Sequence, residues 1–148
     1  MPREPFGWCL FCDDVRNEAG GKVSYMGVYG ADIVFAQPLP VVVPQFAIVA
    51  NYMVDIDDEV TEDVILEVRL PGDEEPLVRS AVPMAEVRRA KKPQAGARYL
   101  SASAKLIISP CEFKAEGFVE VWITRGSSPM KIGSLAVKTT AEVVQAEP

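Results

Sequence analysis

The chain has 148 residues, 49% of them hydrophobic and 24% charged, with a formal net charge of −6. That size and mix suit one folded domain with its own core, exclude disordered composition, and argue against a general nucleic-acid or anionic-membrane footprint. Histidine is absent, which removes the commonest general base and metal ligand together with every Ser-His or Cys-His nucleophile pair.

Helix-period patterns are scarce, and period-2 runs of Val, Ile, Phe and Tyr recur between clusters of Pro, Gly, Asp and Asn, so strands should dominate. Phe6 to Asp13 reads as the first strand. Gly20-Gly21 supply the positive φ of a turn, from which Lys22 to Tyr29 returns as its hairpin partner. Gly30 permits a bend into Asp32 to Ala36, and Pro38, Pro40 and Pro44 then deny ladder donors and impose an irregular crossing along a sheet edge. Gln45 to Val54 reads as a buried strand. In Val64 to Leu70 the residues Ile65, Glu67 and Arg69 alternate against an apolar set and should face water. Pro71-Gly72-Asp73 is turn chemistry. Leu77 to Glu86 is a strand that Pro83 demotes to an edge or a bulge, and Arg88 to Arg98 has loop character. Tyr99 to Ser109, Phe118 to Thr124 and Lys131 to Thr139 complete the set, the last two as a hairpin across Arg125 to Pro129.

Seven to nine short strands joined by long crossings predict an all-β fold, a two-sheet antiparallel β-sandwich of immunoglobulin-like or C2-like type, with a small β-barrel as the alternative. Residues 1–142 form the domain and 143–148 a C-terminal tail. The opening Met1-Pro2-Arg3-Glu4-Pro5 has no apolar run of secretory kind, and Val41–Val43 and Phe46–Ala50 fall far short of the roughly 18 residues that span a bilayer. Cys9, Cys12 and Cys111 are an odd set best kept reduced. The expected location is the cytoplasm, or a particle assembled there.

Candidate sites are few. Cys9-x-x-Cys12 puts its thiols on opposite faces of a strand and, with Cys111, offers three ligands without a histidine, so packing thiols are favoured over zinc. Gly20-Gly21-Lys22-Val23 lacks the Ser or Thr and the distant Gly of a phosphate loop, leaving a turn. Asp55, Asp57 and Asp58, within the acidic run to Glu59, are the candidate metal ligands: clustered carboxylates in an inter-strand loop are what Ca²⁺ prefers, although the spacing is not that of an EF-hand. Paired carboxylates could also serve glycoside hydrolysis, but aromatic platforms are scarce.

Charge is segregated. Ten acids lie between Asp55 and Glu75 against the single base Arg69, and six bases between Arg79 and Arg98 against Glu86 alone. Asp73, Glu74 and Glu75 on one side and Arg88, Arg89, Lys91 and Lys92 on the other are therefore the candidate interaction residues, able to attract one another between copies or to neutralise one another within the chain. The functional expectation is a non-enzymatic protein-binding or structural module without a cofactor, binding a protein or itself, with nucleic acid disfavoured. A Ca²⁺-dependent module is the alternative.

The run Phe11-Cys12-Asp13-Asp14-Val15-Arg16, followed by Gly21-Lys22 and Gly27-Val28-Tyr29, resembles the opening of a family of small uncharacterised proteins from bacterial genomes, associated with phage genes. The likeness is strong over about the first 35 residues and loose at the closing hairpin Phe118 to Ile123. It implies no activity and no functional residues, and its phage link adds a virion or particle-associated component to the expected roles, located in the virion if the chain is phage-derived. On physical grounds Asp13 and Asp14 beside Arg16 should accept turn amides and fix the hairpin mouth.

Overall fold

The computed structural model describes residues 2–91 and 94–141; the expected tail at 143–148 lies outside them. In chain order the strands are β1 (Phe6–Cys12), β2 (Asp14–Asn17), β3 (Val23–Met26), β4 (Asp32–Phe35), β5 (Val41–Val43), β6 (Phe46–Asp55), β7 (Val64–Arg69) and β8 (Val78–Ala81). A short helix, α1 (Met84–Ala90), leads to β9 (Tyr99–Ile108), β10 (Cys111–Phe113), β11 (Gly117–Arg125) and β12 (Ser128–Thr139).

Two sheets form the layers, as expected. One is antiparallel in the order β1-β6-β9; the other runs β4-β12-β11-β7-β8. They remain separate ladders and do not close into a barrel. Facing positions at period 2 fill the space between them: Phe46, Ile48 and Val54 from β6 meet Val68, Val119, Val121, Leu135 and Val137. Each such side chain contributes about 1.5–3 kcal/mol by leaving water. The central β6 is buried on both faces at Ala47 and Val49 as well, which accounts for its unbroken apolar sequence. The β2–β3 ladder lies beside that outer face, and Lys105 Nζ donates to Asn17 Oδ1 at 3.2 Å.

Five expectations need correction. β1 pairs along its whole length with β6 and meets the Lys22–Tyr29 segment only at its end, where the Tyr29 N–H donates to the Phe11 carbonyl; the hairpin itself is β2 with β3. The break falls at Asp13, whose N–H leaves the β1 ladder for the carbonyls of Met26 and Gly27. The sandwich is not wholly antiparallel, because β4 joins β12 in parallel. The strand expected over Leu77 to Glu86 ends at Ala81, and Met84–Ala90 is helical: Pro83 stops the ladder, and Met84 and Val87, three apart on one helix face, reach the core. Pro110-Cys111 is not only a separator, since Cys111–Phe113 pairs with β5 inside the proline-rich crossing. The described residues therefore hold twelve strands, more than the seven to nine expected.

The two long edges of the sandwich differ. At one, β1 and β12 approach at glycines: a Cβ on Gly133 would stand 1.7 Å from Cys9 Sγ, and one on Gly7 2.6 Å from Ile132 Cγ2. At the other, between β8 and β9, a cleft opens.

Candidate functional site

The acidic loop after β6 is bound to its own chain. Asp58 accepts from Arg125 Nη1 at 2.6 Å and Nη2 at 2.8 Å, while Arg125 Nε donates to Glu62 at 2.7 Å. These bonds hold the Asp58 and Glu62 carboxyls below their usual range and raise Arg125. Asp55 Oδ2 accepts the N–H of Arg3 and Oδ1 that of Asp57, both at 2.9 Å, which lowers Asp55 as well. Of the three candidate metal ligands only Asp57 leaves its carboxylate without such a bond, and it is exposed. Among the described residues no three metal-ligating side chains converge.

The basic block is likewise engaged. Arg88 Nη1 donates to the Ile56 carbonyl at 2.9 Å and Nη2 to that of Asp58 at 2.6 Å, so α1 clamps the acidic loop from the far side. Lys91 Nζ donates to the Ser101 carbonyl. Arg79 pairs with Glu67 at 3.0 Å, and Lys114 with Asp73 at 2.8 Å. Arg89, Glu74 and Glu75 are exposed, and Lys92 lies outside the described residues. The acidic run is thus paired mostly by Arg125, Lys114 and the Arg3 N–H, which lie outside the basic block, while Arg79 and Arg88 reach it from within that block.

The signature near the N-terminus has a structural account. Tyr29 Oη donates to Asp13 Oδ1 at 2.6 Å, and burial with this acceptor raises the Tyr29 hydroxyl. Gln45 donates to both the Asp13 carbonyl and Asp14 Oδ1, and with Arg16 it holds the Asp14 carboxyl low. Gly27 has φ +65°, and a Cβ there would stand 2.3 Å from Asp13 Oδ2; only glycine meets both conditions. Asp13, Gly27 and Tyr29 together fasten the hairpin mouth. Cys12 and Cys111 are buried, and burial pushes Cys111 up to about 11 and Cys9 to about 12, so packing thiols are what the structure contains.

Two features are left over, and sequence reasoning singled out neither. The first is the cleft between β8 and β9, a cavity of about 210 Å³. Its hollow arises because Ala50 and Ala104 face each other across β6 and β9, and Ala102 pairs with Tyr52 one step along, where larger residues fill the rest of the layer. Leu66, Ile123 and Ser80 face it from the other sheet. A closed apolar void of that volume would cost about 5 kcal/mol at about 24 cal/mol per Å³, of the order of a domain's net stability. The second is the outer face of the three-stranded sheet. Phe6 and Trp8, each 43% exposed, share it with half-buried Leu10 and Met53, while Asn51 between Trp8 and Ser103 is 8% exposed. Ser103 donates to Asn51 Oδ1, and Asn51 Nδ2 is buried without a partner.

The outer face of the five-stranded sheet is the contrast. There the cross-strand row Arg79, Glu67, Trp122 and Lys131 is joined by a salt bridge at one end and by Lys131 over the Trp122 ring, 5.8 Å from its centre, at the other. Lys131 also pairs with Glu120, and Lys138 with Asp32. That face is crossed by ion pairs, and Phe118 and Val34 stand exposed among them.

The architecture is thus a two-layer β-sandwich with one outer face crossed by ion pairs, the other without them, and an open lateral cleft. Residues 7–138 match the Family of unknown function (DUF6941), and the chain belongs to that family. No curated protein and no solved structure matches it. Among the described residues no helix is long and apolar enough to cross a membrane.

Proposed function

We propose that this chain is a non-enzymatic protein-binding module whose contact surface is the outer face of the β1-β6-β9 sheet, centred on Trp8. The observation that carries this reading is the asymmetry of the two outer faces. One is laced with ion pairs, and the other presents Phe6 and Trp8 half-exposed beside Leu10 and Met53 with no ion pair across its strands. Half-exposed aromatics beside apolar neighbours, with no ion pair to compete for them, are the composition of a binding patch, where such anchors carry most of the energy. A component of an assembled particle, in a virion or elsewhere, would use this face in the same way.

The test is site-specific photo-crosslinking in the native source. A photoreactive side chain at Ser103, in the row of Trp8 and Asn51, should give discrete protein adducts that Trp8→Ala abolishes. The same group at Ser134 on the opposite outer face should give none. The adduct mass separates a second copy of the chain from a different protein. Equal labelling at the two positions would refute the reading.

A further inference from the structure

We infer that the lateral cleft between β8 and β9 is a binding site for a small apolar molecule, an aromatic ring or a short branched alkyl group. Three observations carry it. The space is about 210 Å³, somewhat larger than the roughly 150 Å³ apolar cavity that accommodates benzene. It is created by sequence choice: in the inner row of β9 the residues at Leu100, Leu106 and Ile108 are large, while Ala102 and Ala104 between them are small and lie against Ala50 and Tyr52 of β6. Finally, each wall is tied to the structure around it. β8 is tied to β7 by its ladder and by Arg79 on Glu67, and α1 is tied to β9 by Lys91 on the Ser101 carbonyl and to the acidic loop by Arg88. With β8 in its ladder and α1 bridging to β9, the hollow is present before any guest arrives, so a molecule of matching size gains contact without first displacing side chains.

The cleft touches Asn51 and Ser103 of the Trp8 row but not Trp8 itself, and the experiment keeps the two sites apart. Benzene at millimolar concentration should raise the Tm of the wild-type protein by about 3 °C through preferential binding to the folded state. Its protons should show NOEs to the methyl groups of Ala102 and Leu66. Trp8→Ser should keep both responses. Ala104→Leu, which fills the hollow from β9, should raise the Tm without benzene and lose the benzene increment. Absence of NOEs to Ala102 and Leu66 in the wild-type protein would overturn the proposal whatever the variants do. So would an undiminished increment in folded Ala104→Leu, or an increment lost in Trp8→Ser.

Discussion

Gly133 sits where β12 passes closest to β1, and replacing it with alanine tests how the closed edge of the sandwich is built. Its backbone lies outside the left-handed region, so alanine meets no conformational penalty; the obstacle is Cys9, whose Sγ would lie 1.7 Å from the new Cβ. Relief requires the thiol to rotate or the sheets to part, and overpacking of this kind costs about 1–3 kcal/mol. Alanine in a strand is otherwise better than glycine by about 0.5–1 kcal/mol. Removing the sulfur leaves Cys9 Cβ at 3.4 Å and Phe11 Cζ at 3.5 Å, near ordinary contact. Gly133→Ala should therefore destabilise the wild-type protein by about 1–2 kcal/mol, yet be neutral or stabilising by about 0.5 kcal/mol in a Cys9→Ala background, a coupling of about 2 kcal/mol. Urea denaturation of the four proteins with a common m-value measures it. An equal cost in both backgrounds would show that the thiol does not set the sheet separation.

Asp58→Asn should cost about 1–3 kcal/mol at pH 7 by breaking the paired bonds from Arg125. Because the Asp58 carboxyl is held low in the folded state, the clamp's contribution is fully present above the ordinary aspartate value of about 4 and is lost as pH falls through the lower folded value. The gap between variant and wild type in denaturant titrations should shrink below about pH 4; a gap unchanged down to pH 2 would contradict the ionic account. At the hairpin mouth, Tyr29→Phe should cost about 1 kcal/mol for the lost bond to Asp13. Gly27→Ala should cost more, since it meets both the positive φ and the Asp13 carboxylate. Thermal unfolding of the pair orders them, and a tolerated Gly27→Ala would remove the structural account of the signature.

Strand periodicity, turn glycines and prolines were legible from residue order because each is a local property. The alternation of Val64 to Leu70, the continuous apolar run of β6, the final hairpin and the exclusion of imidazole chemistry all follow from neighbours in sequence. Partnership between distant segments did not. Whether Asp58 faced a cation or Arg125, 67 residues away, depended on which loops share an end of the sandwich. That β1 pairs with β6 and not with its sequence neighbour shows only in the tertiary structure, where the Asp13 N–H turns from the β1 ladder to Met26 and Gly27. The helix at Met84–Ala90 was hidden by a proline and by a cluster of bases that reads as solvated loop, and its amphipathic pair shows only against a core. The cleft arises from three alanines that two separate strands bring to adjacent levels. Composition and period therefore determined the all-β class and the kind of chemistry the chain can carry. The tertiary structure alone decided which charges are satisfied, which face stays apolar and where space is left, because those depend on non-local packing.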